Sequence, residues 1–520
     1  MKLKYWRTIC VGFAFFLICA FWQAYDNIIP KILTDKFGMA QGWSGVIMAL
    51  DNVLALFMLP IFGALSDKCR SRFGKRTPYI VIGTVVAVAA FICLSFIDRA
   101  QLNKIGTAAD YSADGIHAVY SDAEIVNAEL KTHEGEKYVL SEKYSEADIN
   151  AVLARIGSSD KDESKAAQNE WDSYYVPARQ AYAAKVAAGH RSILVLFMLV
   201  LLVTLVSMSL FRSPAVALMP DVTIKPLRSK ANAIINLMGS FGGILVLALG
   251  IVFGTGKPQN AMMSYITFFT VIGAVMLIAL IVFLLTVREP KFVREMEEES
   301  KRFGIAGGED DDGSGTRKLS KGELTSLILI LASVALWYFG YNAVTSKYSV
   351  YAGKVLNLDY NMTLIIAQAA AIISYLPVGI ISSKIGRKKA ILAGVVMLTT
   401  AFTVAAFLRA GSPAMLMNAM FALAGIGWAT INVNSFPMVV ELAKGGTVGK
   451  YTGYYYTASM AAQVLTPILS GFLMDGFGLR ILFPYAAIFV ACAFVTMLFV
   501  RHGDNKPTAK KGLEALDVGD

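Results

Sequence analysis

Two glycine-led basic turns, 316 residues apart, set the strongest limit on what this chain can fold into. The first runs from Gly63 through Ser66, Asp67, Lys68, Arg70, Arg72, Gly74 and Lys75 to Arg76, between two long apolar stretches. The second runs from Gly379 through Ser382, Ser383, Lys384, Gly386, Arg387 and Lys388 to Lys389, between two others. The offset of 316 also relates Tyr25 to Tyr341, Asp26 to Asn342 and Lys31 to Lys347. Halves that repeat, each with a basic turn after its second apolar run, have the organisation of a two-bundle membrane carrier.

Composition agrees. The 520 residues are 56% hydrophobic and 17% charged, where a soluble globule carries about 25% charge. Many apolar runs reach the roughly 20 residues that cross a bilayer as a helix. The net charge of +10 falls in short turns between runs, where it sets orientation; it is no sign of nucleic-acid binding. The five cysteines, Cys10, Cys19, Cys69, Cys93 and Cys492, lack metal-ligand spacing, so neither a disulfide nor a metal site is expected. The basic start from Met1 to Arg7 leads into an apolar run without a clean cleavage site, which reads as a retained first span.

Twelve spans are expected near 7–30, 43–65, 79–97, 191–212, 231–253 and 264–286, then 323–346, 361–381, 389–408, 413–437, 450–473 and 479–500. The expected class is an all-α polytopic membrane protein of two pseudo-symmetric six-helix bundles. The first bundle takes spans 1–3 (residues 1–97) and 4–6 (191–286), and the second takes 323–500. The turns at 66–78, 213–230, 382–389 and 438–450 carry most of the lysine and arginine, including Lys225, Arg228 and Lys230. The positive-inside rule then places both termini in the cytoplasm of a multi-pass cell-membrane protein. The tail 501–520, with Lys510 and Lys511, lies inside with them.

Two polar segments interrupt the spans. Residues 98–190 form an acid-rich extracellular insert with an internal echo, Tyr120 to Ile125 against Tyr144 to Ile149. Ser121 with Glu124, and Ser145 with Asp148, each match a helix-start signature, so a small helical cap is expected. It reads either as a tolerated loop insertion or as a device that captures substrate. Residues 287–322 link the bundles inside: a charged helical stretch from Arg294 to Arg302, then a flexible run from Gly307 to Gly315. Its acids do not make a calcium loop, because Gly308 and Leu319 occupy the first and twelfth positions.

The turn from Gly63 to Arg76, followed by Pro78, Tyr79 and Ile80, resembles the signature turn of major facilitator transporters. It is similar in form to that of plant sucrose/proton symporters and their animal relatives. The longer basic turn also resembles that of glycoside–pentoside–hexuronide cation symporters. Gly425, Gly427 and Trp428, leading to Ser435, Phe436 and Pro437, are similar to the tenth span of that group. The resemblance implies a secondary transporter that moves a sugar or glycoside with a cation by alternating access. It implies no enzyme activity and no cofactor. Two departures stand out. Leu59 and Ala55 occupy the places of second-span aspartates in sodium-coupled members. Gln23 and Ala24 stand where the sucrose type has a first-span acid.

Two span carboxylates remain, Asp51 near the middle of span two and Asp26 in the outer third of span one. An intramembrane carboxylate costs about 2.5–3.5 kcal/mol on insertion scales, so it faces a cavity or a partner. Either one is a candidate to carry the coupling proton, with Asp51 favoured for its depth. Either can instead be a structural acid paired with Lys31 or Lys347. A sugar needs hydrogen-bond partners and aromatic faces near the midplane. The candidates are Trp22, Gln23, Tyr338, Asn342, Gln368, Trp428, Asn432 and Gln463. Each can also serve packing, interface anchoring or a helix–helix hydrogen bond. Trp22 and Tyr338 share the 316 offset and could face each other.

The resemblance makes the basic turns the expected inner gate. It pairs Asp67 with the amides at the start of span eleven, near Gly449 and Lys450, where a helix N-terminus favours negative charge. Gly63 and Gly74 shape the turn. Arg76 with Asp221, and Arg387 with Glu441, are expected to hold the inner side shut; these charges could alternatively serve only topology. Ser383 replaces Asp67 in the second turn, so the two gates differ. There is no phosphate-binding loop of the kind ATP-driven pumps use. The expectation is a monomeric proton-coupled carrier of a small molecule, a sugar before others, in a lipid bilayer. Sodium coupling, a drug or organic-ion exporter, and a ligand sensor are the other readings.

Overall fold

A computed structural model describes residues 3–224, 227–302, 320–442 and 448–503. Lys225, the 303–319 stretch of the linker with its acid cluster, and the tail from 504 with Lys510 and Lys511 lie outside the described residues, as do the side chains of Arg228, Lys230, Ser383, Gly449 and Lys450.

Among the described residues, twelve long helices carry the fold. The first bundle holds α1 (Tyr5–Lys31), α2 (Gln41–Asp67), α3 (Thr77–Ile105), α4 (Arg191–Val222), α5 (Arg228–Phe253) and α6 (Ile266–Thr286). The second holds α7 (Lys321–Tyr351), α8 (Tyr360–Ile385), α9 (Arg387–Phe407), α10 (Ala414–Val440), α11 (Val448–Phe477) and α12 (Leu482–Leu498). Eleven are long and apolar enough to cross a bilayer, and α8 adds a shorter apolar stretch, Tyr360–Tyr375. In lipid every backbone amide must be satisfied internally, which forces these apolar runs into helices. Each bundle has its own apolar core, one built around Phe21, Phe91 and Phe269 and the other around Trp337, Tyr348 and Phe483. The repeat shows again where α1 and α7 each end in a π-helical turn, Ile32–Lys36 and Ala352–Leu356.

Several helices run past the apolar stretches that announce them. α3 continues eight residues beyond 97 to Ile105, because Asp98 meets Lys36 at 2.7 Å in full burial. α4 continues to Val222, so Arg212 lies within the helix rather than at its end. A helix need not stop where hydropathy falls: it continues while its side chains find partners, and its last carbonyls must then be met beyond the apolar run.

The insert, residues 106–190, is a small domain with its own core around Trp171, Tyr175 and Ile149. It is not helical alone: β1 (Glu129–Lys131) and β2 (Lys137–Val139) pair as an antiparallel hairpin. Ser145 and Asp148 make a full capping box on Glu146–Ile156. The first copy of the echo departs from that. Asp122, not Ser121, caps the short helix Ala123–Val126, because the Ser121 hydroxyl already donates to the Ala118 carbonyl of the preceding helix.

The linker begins as a helix, Glu289–Arg302, that ties the first bundle together. The buried Glu289 carboxylate accepts from the Lys75, Arg76 and Thr77 amides at 2.6–3.1 Å, and from the Thr77 hydroxyl. It thereby caps α3. Gly74 has a positive φ of 112°, and a Cβ there would lie 2.2 Å from Glu289, so the signature turn requires glycine.

Candidate substrate cavity

The two bundles enclose a cavity of about 1090 Å³. Its wall comes from α1, α2, α4 and α5 on one side and from α7, α8, α10 and α11 on the other, the same four helices of each repeat. Seven of the eight expected binding residues line it: Trp22, Gln23, Tyr338, Gln368, Trp428, Asn432 and Gln463. Asn342 does not, and its amide nitrogen is buried with no partner among the described residues. Helical rotation puts its neighbour Tyr341 on the wall instead, stacked on Trp428 at 3.7 Å and nearly parallel. Tyr338 meets the same indole edge-on at 5.2 Å and hydrogen-bonds Tyr455. The result is an aromatic shelf on the second bundle.

The first bundle supplies the charges. Asp26 lines the cavity, and its charged neighbours are Asp51 and Arg212. Asp51 lies behind the wall: Asn52 lines it and donates to Asp51 at 2.8 Å. Arg212 also lines the cavity, 5.8 Å from the Trp22 ring. The sequence reading ended the fourth span at this residue and so missed it; an arginine at the end of an apolar run is equally the mark of a cavity wall. The lysines proposed as partners of the acids are elsewhere. Lys31 donates to the Thr255 carbonyl at 2.6 Å and Lys347 to the Gln41 carbonyl at 2.8 Å, both near the insert. Only Gln23 and Gln368 bridge the bundles within the cavity, at 2.6 Å, among the described residues.

The two ends of the cavity differ. At the insert end the bundles are joined. The Asp475 carboxylate of α11 accepts from the Gln41 and Gly42 amides at 2.8 and 2.7 Å, the positive end of α2. Lys354 pairs with Asp35 at 2.7 Å, and Thr255 meets Tyr360 at 3.0 Å. At the basic-turn end no hydrogen bond or ion pair between described residues joins the bundles, and the wall continues along Leu59 and Pro220. Among the described residues, the cavity is open toward the basic turns.

The expected gate pairs form, but within single bundles. Arg76 donates to Asp221 at 2.8 Å and also contacts Asp67 and Ser66, all in the first bundle. Arg387 pairs with Glu441, both in the second. They exist with this end open, so they brace each bundle rather than hold the two together. Gly63 lets α2 approach Ser213 of α4.

Comparison with known proteins places this architecture. The profile described as Major Facilitator Superfamily matches residues 181–443 and 360–517, and one described as MFS/sugar transport protein matches 10–98. Sucrose transport protein SUC4 of Arabidopsis thaliana is 38% identical over 51 residues, 10% of either chain. Proton-associated sugar transporter A of Mus musculus is 29% identical over 97 residues, 18% of this chain and 12% of that one. The matched stretches thus span about a tenth of the curated relatives' length. Among solved structures, a D-xylose-proton symporter superposes over 96% of this chain and 99% of its own, with a TM-score of 0.55 at 13% identity. The nucleoside transporter NupG superposes over 95% and 100%, with a TM-score of 0.52 at 12% identity. The chain is a multi-pass membrane transporter, not an enzyme, and it belongs to the Major Facilitator Superfamily.

Proposed function

We propose that the protein takes up a sugar or glycoside together with protons, by alternating access of the central cavity. The carrying observation is the composition of the wall: an aromatic shelf, the four amides expected from the sequence and one facing carboxylate, Asp26, around one mid-depth space among the described residues. Tyr341 stacked on Trp428, with Tyr338 edge-on, offers an apolar face to a sugar ring. Gln23, Gln368, Asn432 and Gln463 offer donors and acceptors to hydroxyls. Hydroxyl-rich relatives' substrates, in the names sucrose transport protein and proton-associated sugar transporter, support the same class.

Asp26 is the proposed proton carrier, ahead of Asp51, because it faces the cavity while Asp51 sits behind Asn52. Arg212 lines the same cavity and is a charged neighbour of Asp26, so the carboxyl has a cation close by in the wall. The basic turns face the cytoplasm by the positive-inside rule, so the structure is the inward-open state and the insert is extracellular. Gly63, Asp67, Gly74, Arg76, Asp221, Arg387 and Glu441 are proposed to keep each bundle rigid as it rocks.

The test is proton movement in de-energised cells expressing the protein, read with a pH electrode as single sugars are added. Alkalinisation with one sugar, abolished in Asp26→Asn and retained in Asp51→Asn, supports the reading. Sugar uptake that follows sodium instead overturns proton coupling. Uptake or export of drugs and organic ions, with no response to any sugar, overturns the substrate class.

A further inference from the structure

Residues 106–190 are covalently part of the first bundle, yet they hold the second. On the first bundle's side, Gln180 donates to Asp35 at 2.8 Å. Gly38 there is crowded onto the Gln180 carbonyl, with room for no side chain. On the second bundle's side, the hairpin tip grips the corner between α11 and α12. The Leu479 amide donates to the His133 carbonyl at 2.8 Å, Lys131 donates to the Asp475 carbonyl at 3.1 Å, and Arg480 pairs with Glu134. Gly135 and Gly478 meet backbone to backbone: a Cβ on Gly478 would lie 2.5 Å from the Glu134 carbonyl carbon. The tip is stiff, because His133 is buried against the Ser173 hydroxyl at 2.9 Å and Tyr138 donates to the Tyr174 carbonyl at 2.5 Å.

The corner it grips is the one that closes the cavity. Asp475 gives its carbonyl to the hairpin and its carboxylate to the Gln41 and Gly42 amides of the other bundle. Opening the insert end separates α2 from α11. With one side of the insert on the Ile32–Lys36 turn and the other on residues 475–480, that separation cannot occur while both grips hold.

We propose that the insert is a strap across the closed end, and that release of its hairpin from residues 475–480 precedes opening there. This is neither a tolerated loop nor a substrate trap: the strap sets how often the cavity opens on its side. It acts without ligand, so its test does not depend on the transport reading.

The experiment is hydrogen–deuterium exchange of the full chain in lipid nanodiscs, without sugar, comparing wild type with Lys131→Ala/Glu134→Ala. The stretch 41–45, whose Gln41 and Gly42 amides donate to Asp475 only while the end is shut, is expected to exchange about tenfold faster in the variant. The insert core around Ile149 and Val152 should keep its protection. Faster exchange of Leu479 alone, with 41–45 at the wild-type rate, overturns the strap, as does no change anywhere. Should the insert core itself lose protection, the charge-swapped pair Glu134→Arg/Arg480→Glu decides. Protection at 41–45 that falls in Glu134→Arg alone and returns in the swapped pair supports the proposal, and protection there that is equal in the single and the paired variants refutes it.

Discussion

At the residue scale the chain shows how burial redirects chemistry. Asp172, in the insert, is fully enclosed; burial pushes its carboxyl up to about 7, offset in part by the Gln168 hydrogen bond and the Arg179 charge. Its second oxygen has no partner among the described residues. His133 goes the other way: burial, with the charges of Arg480 and Arg409, pulls it down to about 4. The signs follow from linkage. A carboxyl whose folded value exceeds its unfolded one stabilises the fold fully at low pH and loses that contribution as pH rises through 7. A histidine held neutral withdraws stability as pH falls from about 6.5 toward 4. Above pH 6.5 Asp172 outweighs what is left of the His133 contribution, which has the opposite sign. The insert is therefore expected to lose on the order of 0.5 kcal/mol net between pH 6.5 and 8, and Asp172→Asn to abolish that loss. Amide exchange of Ile149 and Val152 at the two pH values measures it, and equal slopes in both proteins would discard the assignment. No sequence pattern announces Asp172 as buried, because its enclosure comes from tertiary packing under Trp171 and Tyr175.

At the scale of elements, the ends of helices were the hard part to read. The twelve apolar runs and their order were legible, since hydrocarbon demands about 20 apolar residues and leaves no alternative to a helix. Charged extensions were not, because Asp98 with Lys36 and Arg212 with its cavity neighbours are satisfied by partners distant in sequence. The hairpin at 129–139 escaped too, its strands being only three residues each. The α3 cap is a further case, joining residue 289 to residues 75–77. Removing it leaves three backbone amides and a hydroxyl unmet at a buried helix start. Glu289→Ala is thus expected to cost roughly 1–3 kcal/mol, read as a lower melting temperature and faster exchange across 74–80. Glu289→Gln keeps one acceptor and should fall between. An unaltered melting temperature in Glu289→Ala would show that water satisfies the turn equally well.

At the scale of the whole molecule, function rests on an imbalance between two ends. The candidate site was largely legible, since seven of eight named residues line one cavity; the 316-residue repeat placed them on equivalent helices. The state of the gate was not legible, because a sequence holds both ends of the rocking motion and a structure holds one. Here the insert end is shut by Asp475 on the α2 amides, Lys347 on Gln41 and Lys354 on Asp35, while the other end lacks bonds between described residues. On the proposed alternating access the protein crosses between two arrangements many times, so neither can be favoured by much. A contact worth about 1.4 kcal/mol shifts the populations tenfold. Asp475→Ala removes the acceptor of two amides at a helix start, which is a change of that order. Cys19 lines the cavity and serves as reporter once Cys10, Cys69, Cys93 and Cys492 are replaced. Its reaction with a membrane-impermeant maleimide from the extracellular side should then rise about tenfold in Asp475→Ala, and fall from the cytoplasmic side. A rise on both sides would mean loosened bundles rather than a shifted equilibrium. No rise outside would move the closing contact from Asp475 to the lysines beside it.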